Sequence, residues 1–246
     1  TNIENEHKDI KSDLEKYNLL TNEVNKLKLF EEYKNNAENY INKNSEKTVN
    51  LLKNTGFIDE FNNVTELGLI AGQFQEIHPL VISKLILETD YFSKLSSIEL
   101  VGLFSCFIAV SISDDERLNK PQCNSELLNT TSQRLHDLFE EFHNHEVNYN
   151  TDSGSYYNCI FDLQQQCMDW CLSTDKETCM NIMQELLTNN NIFSGEFIKG
   201  LLKINNISSE FEKVAEMKQR LDLVDKLKDI EKLTLKFVAT SQSLYV

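Results

Sequence analysis

Cysteine and histidine side chains are the residues of this sequence best suited to bind a metal ion or to act as nucleophiles. Cys167 and Cys171 are four residues apart and would share one face of a helix, but no Cys-x-x-Cys pair of the kind found in zinc sites occurs. His143 and His145 could chelate a metal together with Glu146, although polar surface residues before a loop are the commoner arrangement. We therefore predict no metal site and six reduced, packed thiols: Cys106, Cys123, Cys159, Cys167, Cys171 and Cys179.

Nucleotide hydrolysis and acyl transfer leave recognisable patterns, and none is present here. The sequence contains no Gly-x-x-x-x-Gly-Lys-Ser/Thr loop to hold the phosphates of ATP, and no DExH box. No Ser-His-Asp or Cys-His arrangement stands out, and the acidic run Asp114-Asp115-Glu116 is typical of a solvated loop. We predict no catalytic residue and no cofactor in this chain.

The charge of the chain is acidic and unevenly distributed. The formal net charge is −15 over 246 residues. Residues 1–50 carry a net charge of −2, residues 51–207 carry −13 from nine basic and twenty-two acidic side chains, and the remainder is neutral. Because phosphate contacts dominate affinity for nucleic acid, any such contact must be local, with the acidic faces turned to solvent or to a basic partner.

The ends and the hydropathy of the chain bear on its location. The chain begins at Thr1 without a Met, a charged n-region or an apolar h-region, which predicts an internal piece of a longer protein and not a secreted precursor. No run approaches eighteen apolar residues, so we expect no membrane span and no membrane partner. The expected location is intracellular, with nucleus and cytoplasm equally open.

The first part of the chain predicts one long helix. Apolar residues recur every three or four positions over residues 8–43, which places one apolar stripe on a helix whose other faces are charged. A single helix of this length needs a partner, since isolated helices are marginal in water. A bundle helix and a coiled-coil stalk fit equally well. We define residues 1–46 as a helical arm.

The rest of the chain, residues 47–246, predicts an all-α, multi-helix bundle. Only 7 Gly and 2 Pro are present, which favours long helices over many short strands. Thr65, Ser96 and Asp175 are typical N-caps, Pro79 suits a first helical turn, and Gly56 suits a C-cap. The predicted helices span 51–59, 65–74, 79–87, 96–110, 125–145, 156–171, 175–187, about 194–217 and about 222–240.

Six short patterns over residues 50–246 occur in an order that resembles a known family. They are Leu51-Leu52 followed by Gly56-Phe57-Ile58, then Val64-Thr65-Glu66-Leu67-Gly68-Leu69-Ile70-Ala71, Pro79 to Ile86, Leu103-Phe104-Ser105-Cys106-Phe107, Trp170 with Phe193-Ser194-Gly195-Glu196-Phe197-Ile198-Lys199, and finally Ser243-Leu244-Tyr245. Together they resemble the C-terminal helical (DSHCT, ratchet) domain of superfamily 2 DExH RNA helicases of the superkiller and exosome-cofactor group. By composition alone, the arm resembles the family's arch stalk.

This resemblance implies a role for the helix at about 194–217, called the ratchet helix in the family. In the family a basic residue of this helix touches the single-stranded RNA that leaves the motor domains, and that position is Lys199 here. Lys keeps the charge of the family's Arg but not its planar, bidentate fork. Lys203, four residues on, would share the helix face and offer a second phosphate contact, while Glu196 suits the helix dipole but repels RNA. Without the resemblance, a solvated helix face would be preferred for both lysines.

The function implied by the resemblance is that of one part of a larger enzyme. The whole protein would be an ATP-dependent RNA helicase moving 3′ to 5′ for RNA processing or decay, with ATP and Mg²⁺ bound by separate RecA-like motor domains. Expected partners are single-stranded RNA, those motor domains, and the RNA exosome or adaptor proteins. A non-catalytic helical scaffold that binds proteins, which the charge of −13 over 51–207 favours, and a related DNA helicase domain are the alternatives.

Overall fold

The computed structural model describes residues 9–113, 115, 117–151, 154 and 158–237. The chain divides into two compact units, Thr1–Asn50 and Leu51–Val246. The described residues contain nine α-helices and one isolated antiparallel bridge, between Ile58 and Val64, which agrees with the all-α prediction. The helices are α1 (Ile10–Asn54), α2 (Glu66–Ala71), α3 (Pro79–Glu88), α4 (Ser97–Ser105), α5 (Glu126–Tyr149), α6 (Gln164–Leu172), α7 (Lys176–Asn190), α8 (Ser194–Met217) and α9 (Leu221–Thr234).

Most of α1 lies in the first unit and carries its apolar side chains on the surface. Leu14 is 62% exposed, Phe30 is 68% exposed and Tyr40 is 67% exposed. Ion pairs one turn apart, between Lys26 and Glu23 for example, add only a few tenths of a kcal/mol each on such an exposed helix. In the described part of the chain, no helix is both long and apolar enough to cross a membrane.

The prediction of a separate short helix over 51–59 is wrong, because Leu51 to Asn54 form the last turn of α1. The helix ends where Gly56 takes a φ of +85°, a left-handed conformation that a side chain would disfavour. The Gly56 N–H donates to the Lys53 carbonyl at 3.0 Å, and the Phe57 N–H donates to the Leu52 carbonyl at 2.8 Å. These bonds satisfy the last carbonyls of the helix, so the predicted Gly stop is present even though the predicted start is not.

Local capping signals predicted several helix starts correctly. The Thr65 hydroxyl accepts from the Gly68 N–H, and the Asp175 carboxylate accepts from the Thr178 N–H. At α4, Ser96 and Glu99 form a complete capping box, in which each side chain accepts from the other residue's backbone N–H. Pro79 occupies the first position of α3, where its missing N–H costs nothing. These starts are confirmed because each depends on residues within one turn.

Helix lengths were predicted less well. The helix expected to reach residue 74 ends at Ala71, the one expected over 96–110 ends at Ser105, and the closing helix expected to reach 240 ends at Thr234. The helix predicted over 156–171 begins only at Gln164, and residues 158–160 are not helical. Apolar side chains continue past the ends of α2 and α4 and pack there against the core as irregular structure, whereas Phe237, after α9, is 37% exposed.

The core of the second unit is built around α4. Leu100, Val101, Leu103 and Phe104 are all fully buried, as expected for a helix that is apolar on nearly every side. The helix packs against α5, α6, α8 and α9. The prediction of a central helix at this point of the sequence is therefore confirmed.

The packing of α8 against the segment that follows α4 requires a glycine. A Cβ atom placed on Gly200 would lie 2.9 Å from Ile108 Cγ2 and 3.0 Å from Ile108 Cδ1, and Ile108 is itself buried. Gly195, near the start of the same helix, has open space where its Cβ would be. Packing therefore requires a glycine at position 200 but not at position 195.

We expect Gly200→Ala to lower the free energy of unfolding by about 1–3 kcal/mol, because the added methyl group overpacks a filled contact. Gly195→Ala is the matched control on the same helix and should be neutral or stabilising by less than about 1 kcal/mol. Urea titration of both variants measures the difference. Equal stability of the two would show that α8 does not approach Ile108 this closely.

Candidate nucleic-acid interface

One face of α8 is continuously exposed and carries lysines but no carboxylate over most of its length. We name this face the exposed stripe; it consists of Gly195, Lys199, Leu202, Asn206, Ser209 and Lys213, all of which are exposed. The intervals alternate between four and three residues, so these positions lie in one row along the helix. Lys199 and Lys213 are about 21 Å apart along the axis, from 1.5 Å per residue. Neither lysine forms an ion pair with a carboxylate of the described residues.

Two of the acidic residues of α8 are held by backbone N–H groups. The Glu196 carboxylate accepts from the Ser111 N–H at 2.8 Å. Glu210 is buried, and its two oxygens accept from the Gln75 and Glu76 N–H groups at 3.1–3.3 Å. Glu212 is half-buried, and Glu216 lies beyond Lys213 at the end of the helix. The negative charge of α8 is therefore displaced from the stripe between Lys199 and Lys213.

Aromatic contacts hold the buried face of α8 at both ends. Near its start, Phe197 meets the Trp170 ring edge-to-face at 5.4 Å, and the Trp170 indole N–H donates to the Thr234 carbonyl at 2.9 Å. Near its end, the Phe211 ring stacks on Phe104 at 4.6 Å. It also contacts Phe74 at 4.9 Å and Phe92 at 5.6 Å. Such pairs add about 0.5–1.5 kcal/mol each beyond the area they bury, so the orientation of α8 is strongly determined.

The structure places Lys203 apart from Lys199. Lys199 is exposed on the stripe, whereas Lys203 is half-buried and lines an open cleft of about 330 Å³. The cleft lies between α8, residues 75–79 and Phe107. Burial lowers the pKa of His78 in its wall to about 4, against the opposing effect of Glu146, so this imidazole is neutral at pH 7. The expectation that both lysines share one open face is thus only partly met.

The thiols are packed in the interior and show no sign of reactivity. All six cysteines are free; five are buried and Cys159 is half-buried, which confirms that the thiols are packed. Burial raises the pKa of the Cys167 thiol well above its usual range, so it is a poor nucleophile. Within the residues that the structure describes, no group of three or more His, Cys, Asp or Glu side chains is arranged to hold a metal ion.

Comparison with known families agrees with the helical architecture, and the matched range contains α2, α4 and α8. A family model of the DSHCT (NUC185) domain matches residues 61–241, about three quarters of the chain. The chain belongs to the DSHCT domain family. This is the C-terminal domain of Ski2-like DExH helicases, so the chain is a helicase C-terminal region in fold and family. No curated protein matches the chain.

Within the DSHCT domain, α8 coincides with the ratchet helix predicted over about 194–217. Two of its features were not predicted. Lys213 lies fourteen residues after Lys199 on the same stripe, a spacing that could have been read from helical periodicity. Glu210 could not have been found in this way, because its partners lie 134 and 135 residues away in the chain. The terminal motif Ser243-Leu244-Tyr245 lies outside the described residues.

We expect Glu210→Ala to destabilise the DSHCT domain by about 1–3 kcal/mol, since it removes the buried carboxylate that accepts hydrogen bonds from the Gln75 and Glu76 N–H groups. Glu212→Ala removes the same charge two residues further along, from a half-buried position, and should change stability by less than about 0.5 kcal/mol. Thermal and urea unfolding of both variants tests this. A smaller loss for Glu210→Ala than for Glu212→Ala would contradict the anchoring role.

Proposed function

We propose that this DSHCT domain guides and holds single-stranded RNA as it leaves the motor domains of an ATP-dependent RNA helicase. The contact surface is the exposed stripe of α8, with Lys199 as its principal residue. The observation that carries the proposal is the absence of carboxylates from the stripe between Lys199 and Lys213, in a chain whose net charge is −15. RNA bound along this row would meet positive charge without crossing an acidic side chain.

The net acidity of the chain is compatible with this role because electrostatic attraction acts locally. At physiological ionic strength the Debye length is about 8 Å, so acidic side chains on the far side of the bundle are largely screened from the stripe. Two of the carboxylates on α8, those of Glu196 and Glu210, already accept hydrogen bonds from backbone N–H groups, while Glu212 is half-buried and Glu216 lies one turn beyond Lys213. Two lysines would give a weak grip, which suits a strand that must slide.

The mode of contact follows from the residue types on the stripe. Lys199 and Lys213 offer point charges to phosphates, and Asn206 and Ser209 offer neutral hydrogen-bonding groups between them. Such contacts position a strand but carry no direct sequence information. We infer that the domain holds RNA between steps of the motor during 3′-to-5′ unwinding, with ATP and Mg²⁺ bound by the RecA-like domains. Delivery to the RNA exosome or to adaptor proteins belongs to the same proposal.

We expect Lys199→Glu to weaken binding of the chain to a 20-nucleotide single-stranded RNA by about tenfold at 50 mM salt, because one attraction becomes a repulsion. Lys199→Arg should bind at least as tightly as the parent, since a guanidinium can engage phosphate with two N–H groups. In Lys199→Ala, the slope of log K against log salt should fall by about 0.7, the value for one phosphate contact on a single strand. Fluorescence anisotropy over a salt series measures all three.

Lys176→Glu is the matched control, since it makes the same charge change at an exposed position of α7. Equal weakening by Lys176→Glu and Lys199→Glu would show that only net charge matters and would contradict the interface. A single-stranded DNA of the same sequence separates the related DNA-helicase function, which requires DNA to bind better than RNA.

The alternative function is a non-catalytic scaffold that binds a basic protein partner. The observation that favours it is the net charge of −13 over residues 51–207, most of it away from α8. A scaffold requires no RNA affinity, so a chain that fails to bind the RNA even at 50 mM salt would support the scaffold and exclude the proposed function.

A further inference from the structure

The cleft beside Lys203 has the size and the lining of a small binding site. Its volume is about 330 Å³, and it is open to solvent. One wall is apolar and includes the half-buried Phe107 ring together with Ile77 and Pro79. The side-chain amides of Gln75 and Asn158 also line it. Small-molecule sites combine apolar side chains with a few placed polar groups, and this cleft offers both.

Lys203 supplies the only lysine or arginine side chain among the described residues that line this cleft. It is half-buried, yet it makes no ion pair with a carboxylate of the described residues. The buried carboxylate of Glu210, two turns further along α8, is engaged instead by the N–H groups of Gln75 and Glu76. The Lys203 ammonium is therefore available to donate hydrogen bonds to a ligand in the cleft.

Fixed contacts hold two sides of the cleft in place. Glu210 ties α8 to residues 75 and 76 through hydrogen bonds of 3.1–3.3 Å, so the two sides of the cleft are joined directly. The Phe107 ring is supported from behind by Phe139, with ring centroids 6.3 Å apart. Ordering these two walls would therefore cost little binding free energy.

We propose that this cleft receives one nucleobase of the single-stranded RNA whose backbone lies along the exposed stripe, an inference that rests on the proposed function. Lys203 follows Lys199 by four residues, about 6 Å along the helix. A phosphate held by Lys199 thus lies within reach of a base that turns into the cleft. The base stacks on Phe107, and the Lys203 ammonium donates to a ring nitrogen or carbonyl oxygen of the base.

A base fits the cleft better than a phosphate does. The exposed carboxylate of Glu76 lines the cleft and would repel a phosphate, but it can accept a hydrogen bond from an exocyclic amino group. The amides of Gln75 and Asn158 can each donate and accept, so they do not demand one particular base. The cleft therefore adds affinity with modest sequence preference, as stacking platforms for single strands usually do.

The test compares an oligouridine of 20 nucleotides with the same oligomer carrying abasic positions. The parent chain should bind the abasic RNA about tenfold more weakly at equal salt, because the phosphates are unchanged and the stacking is lost. Phe107→Leu and Lys203→Met should each weaken binding of the intact RNA several-fold, so that the affinities for the intact and the abasic RNA become similar. Phe107→Tyr retains an aromatic face and should behave as the parent.

The salt series separates this inference from the proposed function. Phe107→Leu should keep the parent's slope of log binding constant against log salt concentration. Lys199→Ala should lower that slope and weaken binding of both RNAs equally. If Phe107→Leu distinguishes the two RNAs as the parent does, while Lys199→Glu still weakens binding, the base site is wrong and the proposed function stands. If Lys199→Glu has no effect, the proposed function fails.

A second measurement guards against loss of folding in the variants. Photo-crosslinking of 4-thiouridine RNA to the unmodified chain should label residues 75–79 or Phe107, and circular dichroism checks that each variant keeps the parent's helix content. Crosslinks confined to other surfaces would overturn the base site.

Discussion

The burial of one face of α8 is the constraint on which the second unit depends. Phe197 and Phe211 lie at opposite ends of this face, and each is almost fully buried against aromatic rings from other helices. Burying a side chain of this size is worth roughly 1.5–3 kcal/mol, and the ring contacts add to it. Gly200 lets the helix approach Ile108 closely, and Glu210 fixes its rotation by accepting from two backbone N–H groups. Once that face is buried, the opposite face of α8 must point to solvent.

The same constraint explains how an acidic domain presents a locally basic surface. Rotation of α8 about its axis decides which charged side chains face outward. In the orientation set by its buried face, Lys199 and Lys213 lie on the exposed stripe, Lys203 lies in the adjoining cleft, and Glu196 and Glu210 meet N–H groups. A rotation by one residue, about 100°, would bury lysines and bring carboxylates to the surface. The proposed RNA contact and the proposed base site therefore share one structural cause.

The structure also shows where prediction from sequence works and where it does not. The starts of α2, α3, α4 and α7 were predicted because a cap depends on residues a few positions apart, as at Ser96 and Glu99. The ends of α4 and α9 were not. After α4 the apolar residues that follow pack against the core in irregular structure, whereas after α9 the Phe237 side chain is 37% exposed. The prediction placed a helix boundary near residue 47 because the composition changes there. The helix continues through Leu51–Asn54 because no Gly or Pro breaks it at that point. Along α8, the prediction of Lys199 came from a family motif, and helical periodicity places Lys213 on the same stripe.

By itself, the sequence determined the all-α class, the family, the packing of the thiols and the position of α8 in the chain, because these depend on composition, local capping and short motifs. Tertiary structure alone decided that Lys203 turns into a cleft while Lys199 stays exposed, and that Glu210 is a buried anchor. Both outcomes require residues 75–79 to lie against α8, although some 130 residues separate them along the chain. Helical periodicity reports the face on which a side chain lies. It does not report what is packed against that face.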